Sequence, residues 1–281
     1  MRWLGGKWML APKIIAQFPA HRVYVEPFAG AASVLLRKPR SYAEILNDID
    51  HDVVNLFKVL RDDDSAARLV RLVQLTPFAR EEFKAAYEPC EDPVERARRL
   101  IVRSFLGFGS DSANALASTS FRASSNRNGT TASHDWANYP EALSAVVTRL
   151  SGVLVENRPA IEVMLQQDSP DTLHYLDPPY MPETRSTKSR KKGVGYVSYR
   201  HEMVAADHEA LLDAIRELSG MVVLSGYPNA LYDAKLAGWE RLEMHAVADG
   251  GLKRTEVLWI SPNATARRLA GASAPSLFDA A

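Results

Sequence analysis

The chain has 281 residues, 46% hydrophobic and 24% charged, which is the composition of an ordinary folded protein and excludes a disordered or fibrous one. Its 34 Lys and Arg cancel its 34 Asp and Glu, and a zero net charge, taken whole, disfavours a polyanion partner. One cysteine, Cys90, excludes an internal disulfide and a cysteine-based zinc site.

At roughly 100–200 residues per domain, the length suggests one large domain or one domain carrying an insertion. Lys7 and Lys13 interrupt any apolar leader, and no stretch reaches the about 18 apolar residues of a membrane span. The expectation is a soluble cytoplasmic protein with no membrane partner.

In chain order, Val23-Tyr24-Val25 reads as a buried strand, followed by a turn of small residues and a helix starting over Ser33 to Leu36. Ala43 to Leu46 is a second strand, and Asp52 to Leu60 a helix. Three more apolar runs follow later, Val153 to Val155, Leu173 to Leu176 and Met221 to Leu224. Such short continuous runs fit strands covered on both faces of a parallel sheet. Between the last two, Ala205 to Leu218 places Leu211, Leu212, Ile215 and Leu218 at helical spacing. Strand–helix alternation implies a doubly wound α/β fold. Trp239 to Val247 and Thr255 to Ile260 flank Ala248-Asp249-Gly250-Gly251, the pattern of an antiparallel hairpin closing a mostly parallel sheet.

The alternation fails over 61–150. Residues 65–107 are helix-like, and 109–134 are dominated by Ser, Asn, Gly and Thr. The reading is a helical insertion, 61–150, between the halves 1–60 and 151–262 of one domain. Residues 263–281, rich in Ala, Ser and Arg, read as a frayed tail.

Two constellations carry chemistry. In Glu26-Pro27-Phe28-Ala29-Gly30-Ala31-Ala32-Ser33, small residues after a strand let the backbone approach a ligand. Asp48 lies 18 residues beyond Gly30 at the end of the next strand, where an acid binds ribose hydroxyls. In Asp177-Pro178-Pro179-Tyr180, two prolines fix a turn at a strand's C-terminal edge, where open α/β sheets bind substrates. The Asp177 carboxylate and the Pro178 carbonyl can both accept from an amino group, and Tyr180 offers a flat face. Together they suit a planar ring bearing an exocyclic amine.

These motifs, with Trp3-Leu4-Gly5-Gly6-Lys7 and Asn47-Asp48-Ile49-Asp50, resemble the Dam-type (D12 class) DNA adenine-N6 methyltransferases. Ser225-Gly226-Tyr227 and Glu256-Val257-Leu258-Trp259 resemble the late core strands of that family. The resemblance covers roughly 1–60 and 150–262. It implies a Rossmann-like methyltransferase sheet, with 61–150 as target-recognition region. It also implies S-adenosylmethionine as cofactor without a metal, double-stranded DNA as partner, nucleoid association when bound, and adenine N6 as acceptor after base flipping. A cognate restriction endonuclease is compatible with it. Trp3 and Lys7 would contact the cofactor, Lys7 through its carboxylate. Glu26, Pro27, Phe28 and Gly30 would lie beneath the methionine moiety, Asp48 would hold the ribose, and Asp177 would sit between methyl and N6. Tyr180 would stack the flipped base. Ala32 departs from the family, in which a second glycine is common at that place.

Asn157, ending a strand, either reads the adenine edge or caps a turn. Three segments are locally basic: 1–40, 94–136 with Arg122 and Arg127, and 181–203 with Lys188, Arg190, Lys191 and Lys192. The acidic 44–64 offsets them. The last basic segment follows Tyr180 and is expected to clamp a duplex, while Arg122 and Arg127 suit base-edge and phosphate contacts. Cys90, outside any cofactor turn, disfavours C5-cytosine chemistry. The alternatives are N4-cytosine methylation, for which Ser commonly replaces the Asp, a silent nucleic-acid-binding relative, and a nicotinamide oxidoreductase, which leaves Asp-Pro-Pro-Tyr unexplained.

Overall fold

The computed structural model describes residues 5–109, 113, 119–123, 131–181, 184, 200–247 and 253–272. The apolar runs become β1 (Val23–Glu26), β2 (Ala43–Asn47), β3 (Leu154–Glu156), β4 (Thr172–Leu176) and β5 (Met221–Gly226). With β6 (Glu240–Val247) and β7 (Lys253–Ile260) they form one sheet in the order β3-β2-β1-β4-β5-β7-β6. The first five are parallel, and the hairpin adds two antiparallel strands. Strand order reverses between β1 and β4, and crevices at such switch points are where open α/β sheets hold ligands.

The sheet is covered on both faces, which is why its strands read as unbroken apolar runs. One face carries Tyr24, Leu46, Leu173, Tyr175, Met221 and Val223. It packs on α2 (His51–Leu60), α3 (Asp63–Leu75), α5 (Pro93–Leu106) and α7 (Tyr139–Leu150). The other face carries Leu176, Val222 and Leu224 against α9 (Ala205–Glu217), and Val25 and Ile45 against α8 (Ala160–Gln166). Aspartates start three of the four helices of the first face. Asp50, Asp62 and Asp92 each accept a backbone N–H of the first turn they cap.

Two expectations change. The helix expected from Ser33 is a run of turns, with Leu36 N donating to Ala32 O and Lys38 N to Val34 O. Lys38 precedes Pro39, which biases it away from helical backbone, so the segment stops before a helix is established. The frayed tail gives way over its first part to a helix, α11 (Pro262–Ala272), while 273–281 lie outside the described residues. Proline suits a first helical position, and Ala and Arg are strong helix formers. Ala264 is fully buried, and Arg267 and Arg268 pair with Asp171 and Glu240. The helices of 61–150 pack into the same core as the sheet. Leu69, Leu100, Ile101, Trp136 and Leu150 join the sheet residues in one buried cluster.

Glu44 on β2 ties that layer down. Its carboxylate accepts from Lys38 Nζ at 2.7 Å, Ser41 N at 3.0 Å, and Arg149 of α7 at 2.6 and 2.9 Å. Burial opposes its ionisation, but the donors from Arg149 and Lys38 outweigh that and hold its pKa below the usual value. Glu44→Gln leaves Lys38, itself 5% exposed, without its counter-charge. Breaking a buried pair from one side costs about 3 kcal/mol, so the variant should unfold at clearly lower urea than wild type.

Candidate active site

The C-terminal ends of β1, β2 and β4 open onto a cavity of about 430 Å³. Asn47, the last residue of β2, binds its rim together. Its amide donates to the carbonyls of Pro27 and Arg158, both at 3.0 Å, and its oxygen accepts from Arg158 N. The turns after β1, β2 and β3 are thus fixed to one side chain.

Of the residues singled out above, Lys7, Glu26, Pro27, Phe28, Gly30, Asp48, Asp177 and Pro179 line this cavity. Asp48 accepts from Gly30 N at 2.8 Å and from Asp50 N at 2.9 Å. Burial nevertheless pushes its carboxyl up to about 6. Glu26 accepts from Tyr24 Oη at 2.9 Å and Leu35 N at 3.1 Å, pinning the turn after β1. Burial drives it up to about 8, so at neutral pH it is largely protonated.

Asp177 lies at the cavity's opposite side, at the head of the buried Pro178 and half-buried Pro179. One of its oxygens, Oδ1, receives Lys7 Nζ at 2.9 Å, Tyr180 Oη at 3.0 Å and Ser225 Oγ at 3.0 Å. Among the described residues, no hydrogen bond reaches Oδ2. Lys7 also lies 3.4 Å from Glu256 Oε1, and the Tyr180 hydroxyl contacts the same oxygen. Burial raises the pKa of Glu256, against the pull of Lys7. Because β7 is antiparallel, its early residues reach the edge where the parallel strands end. This brings Glu256 beside Asp177.

Several placements differ from the sequence reading. Lys7 faces two carboxyls and the cavity at once, which ties it to the Asp177 side of the site. Tyr180 is 6% exposed, with Lys7 Nζ 4.8 Å above its ring and Tyr227 edge-on at 4.6 Å. In this conformation the ring is a wall and not an open platform. Asn157 donates to the Asp48 carbonyl at 2.7 Å, the turn-holding one of its two readings. Arg122 is 8% exposed and donates to the Phe105 carbonyl, so it anchors its segment and does not present a guanidinium to solvent. Trp3, Arg127, Lys188, Arg190, Lys191 and Lys192 lie outside the described residues.

Sequence reasoning missed Glu256, Ser225 and Arg200 as site residues. A lone acid heading Val257 to Ile260 was the available signal for Glu256. Arg200 donates to Asp50 and Asp52, at 3.2 and 2.8 Å, and lines the cavity beyond Asp48. Nothing local announces that pairing across 150 residues.

A mostly parallel sheet with this C-terminal hairpin and a site at its switch point is a Rossmann-like methyltransferase fold. The chain belongs to the D12 class N6 adenine-specific DNA methyltransferase family, which it matches over residues 3–221. It is similar to a DNA adenine methylase of Serratia marcescens, 37% identical over 99 residues, covering 32% of this chain and 36% of the relative. DNA adenine methylases of Salmonella typhi and Escherichia coli K12 match at 32% over 117 residues and 30% over 113, each covering 38% of this chain and 40% of the relative. The matched stretches span about two fifths of those relatives. Among the described residues, no group of His, Cys, Asp or Glu is placed to hold a metal, and no helix is long and apolar enough to cross a membrane.

Ala32 has a φ of 51°, beside Gly30 at 48°. A left-handed backbone costs a residue with a Cβ about 1–2 kcal/mol. Ala32→Gly removes that strain, less the extra chain entropy of glycine. Ala32 is also fully buried, and losing its methyl costs about 0.8 kcal/mol, so gain and loss nearly cancel and Tm should stay within a few degrees of wild type.

Proposed function

We propose that this protein transfers a methyl group from S-adenosylmethionine to the N6 amino group of adenine in double-stranded DNA at a short target sequence. The observation that carries the reading is the Asp177 carboxylate. Three donors hold Oδ1 in place, and Oδ2 is left for a substrate amine at the edge of a cavity whose far side carries Asp48.

The residues fit the cofactor by donor chemistry. Asp48 is a buried carboxyl able to accept from both ribose hydroxyls. The turn Glu26 to Gly30 passes close beneath the cavity, and Lys7 supplies a cation for a carboxylate. Trp3 would complete this side. Bound there, S-adenosylmethionine supplies an electrophilic methyl on a sulfonium, so no covalent nucleophile is required of the protein.

The work of the protein is then positional. The lone pair on N6 is delocalised into the adenine ring and is a poor nucleophile. Acceptance of its two protons by Asp177 Oδ2 and the Pro178 carbonyl turns the nitrogen toward sp3 and aims the lone pair outward. Pro178 and Pro179 hold both acceptors at fixed φ. Reaching N6 in a duplex requires extruding the base, and Tyr180 must yield part of its packing against Lys7 and Tyr227 to receive it. The basic segment with Lys188, Arg190, Lys191 and Lys192 is suited to the phosphates, and Arg127 to the recognition region. The family membership and the adenine methylases it resembles support adenine over cytosine, as does Asp177 itself.

Tritiated methyl transfer to plasmid DNA, followed by nucleoside analysis, should yield N6-methyladenine. Asp177→Ala should lower kcat by at least about a hundredfold. N4-methylcytosine as product, or robust activity of that variant, would overturn the assignment.

The carboxyl of Asp48 at about 6 has a further consequence. Ionised, it accepts from two hydroxyls, and protonated it gives up one of those acceptor positions to its own hydrogen. Affinity for S-adenosylmethionine should therefore rise as pH climbs through about 6. Calorimetry across that range should show the rise in the wild type and a flat profile in Asp48→Asn.

A further inference from the structure

We infer that Glu256 is a positioning residue for this reaction, held as a neutral carboxyl that donates to the Tyr180 hydroxyl and so commits that hydroxyl to Asp177. The inference rests on the methyl-transfer reading above and adds a residue to it.

The argument is a proton count. The Tyr180 oxygen lies 3.0 Å from Asp177 Oδ1 and in hydrogen-bond contact with Glu256 Oε1. A phenol has one hydrogen. Burial, with Asp177 and Glu256 nearby, keeps that hydrogen on Tyr180. If both carboxyls were ionised, one of the two contacts would set acceptor against acceptor, so one carboxyl carries a proton.

Position decides which. Lys7 Nζ is 2.9 Å from Asp177 and 3.4 Å from Glu256, so its charge serves Asp177 first. The Glu256 side chain is 5% exposed against 18% for Asp177, and a second buried anion beside a single ammonium is costly. Burial raises Glu256 accordingly. The titratable groups around it are Lys7 from the N-terminal segment, Asp177 and Tyr180 from the turn after β4, and Tyr175 of β4 itself, whose pKa burial keeps high. Arg254, on its own strand, lies over the ring of Tyr227.

The chain of donors then runs from Glu256 to Tyr180 to Asp177 Oδ1, joined there by Lys7 and Ser225. It fixes the rotation of the Asp177 carboxylate and leaves Oδ2 to the substrate amine. Ionised Glu256 would compete with Asp177 for the Tyr180 hydrogen and loosen that carboxylate. A neutral partner is required, and turnover should fall as pH rises through the raised pKa of Glu256.

The test compares the full chain with Glu256→Gln and Glu256→Ala, using tritiated S-adenosylmethionine and plasmid DNA free of N6-methyladenine. Glutamine donates as the neutral carboxyl does and cannot ionise. Glu256→Gln should keep kcat near wild type at neutral pH and retain at alkaline pH activity that the wild type loses. Glu256→Ala should lower kcat by roughly a hundredfold with KM for the cofactor little changed, as for a misplaced reacting group. Wild-type minus Glu256→Gln infrared spectra at neutral pH should show a protonated-carboxyl band beyond the one that Glu26 gives in both. Three results would each overturn the proposal: Glu256→Gln as impaired as Glu256→Ala, the same alkaline limb in wild type and Glu256→Gln, or no band difference. The difference band in the absence of any methyl transfer by the wild type would overturn the reaction assigned above while upholding the protonated Glu256–Tyr180 pair.

Discussion

One ammonium facing a buried and a half-buried carboxyl governs the site. Lys7 arrives from the N-terminal segment, Asp177 from the turn after β4 and Glu256 from β7. None of these groups could be buried alone without neutralising or drawing in water. Together they fasten the N-terminal segment over the edge of the sheet and close the cavity at the end where the amine is expected. The same constraint explains the hairpin. A strand running antiparallel is what brings an early residue of β7 to the edge at which the parallel strands stop.

Around that centre, polar side chains fix backbone rather than solvate it. Asn47 holds three turns, Glu26 holds the turn after β1 through Leu35 N, and Asn157 holds the Asp48 carbonyl. Each bond is worth about 1 kcal/mol net, yet each orphaned partner would cost more. The cavity's rim is accordingly set by a few buried amides and acids. A ligand meeting it finds acceptors already aimed, and little of the binding free energy is lost to ordering.

The legible part of this arrangement in the sequence was whatever is local. Val23 to Val25 followed by small residues, and Leu173 to Leu176 followed by Asp-Pro-Pro-Tyr, announce strand ends that face a ligand because the chemistry and the turn are contiguous. Asp48 follows from a fixed spacing after Gly30. Pairings distant in sequence are silent. Ser225 and Glu256 join Asp177 only through strand order, and Arg200 meets Asp52 across the whole insertion. Composition misled twice. An Ala- and Arg-rich end looked frayed although its buried face and ion pairs make it helical. A Ser-started segment looked helical although Pro39 and two left-handed residues, Gly30 and Ala32, leave it too little room.

The zero net charge acquires a different meaning once partners are known. Summed by segment, basic 1–40 and 94–136 oppose acidic 44–64, which suggests a separated dipole. In the fold these segments interlock. Lys38 and Arg149 neutralise Glu44, Arg96 and Arg200 neutralise Asp52, and Arg98 and Arg99 share Glu95. Arg40 is bonded to the carbonyls of Thr148 and Ser151. A guanidinium that already meets a carboxylate adds little net field for a phosphate several ångströms away, because the pair presents a dipole and not a charge. Attraction for a polyanion therefore depends on cations without such partners, and segment sums overstate it.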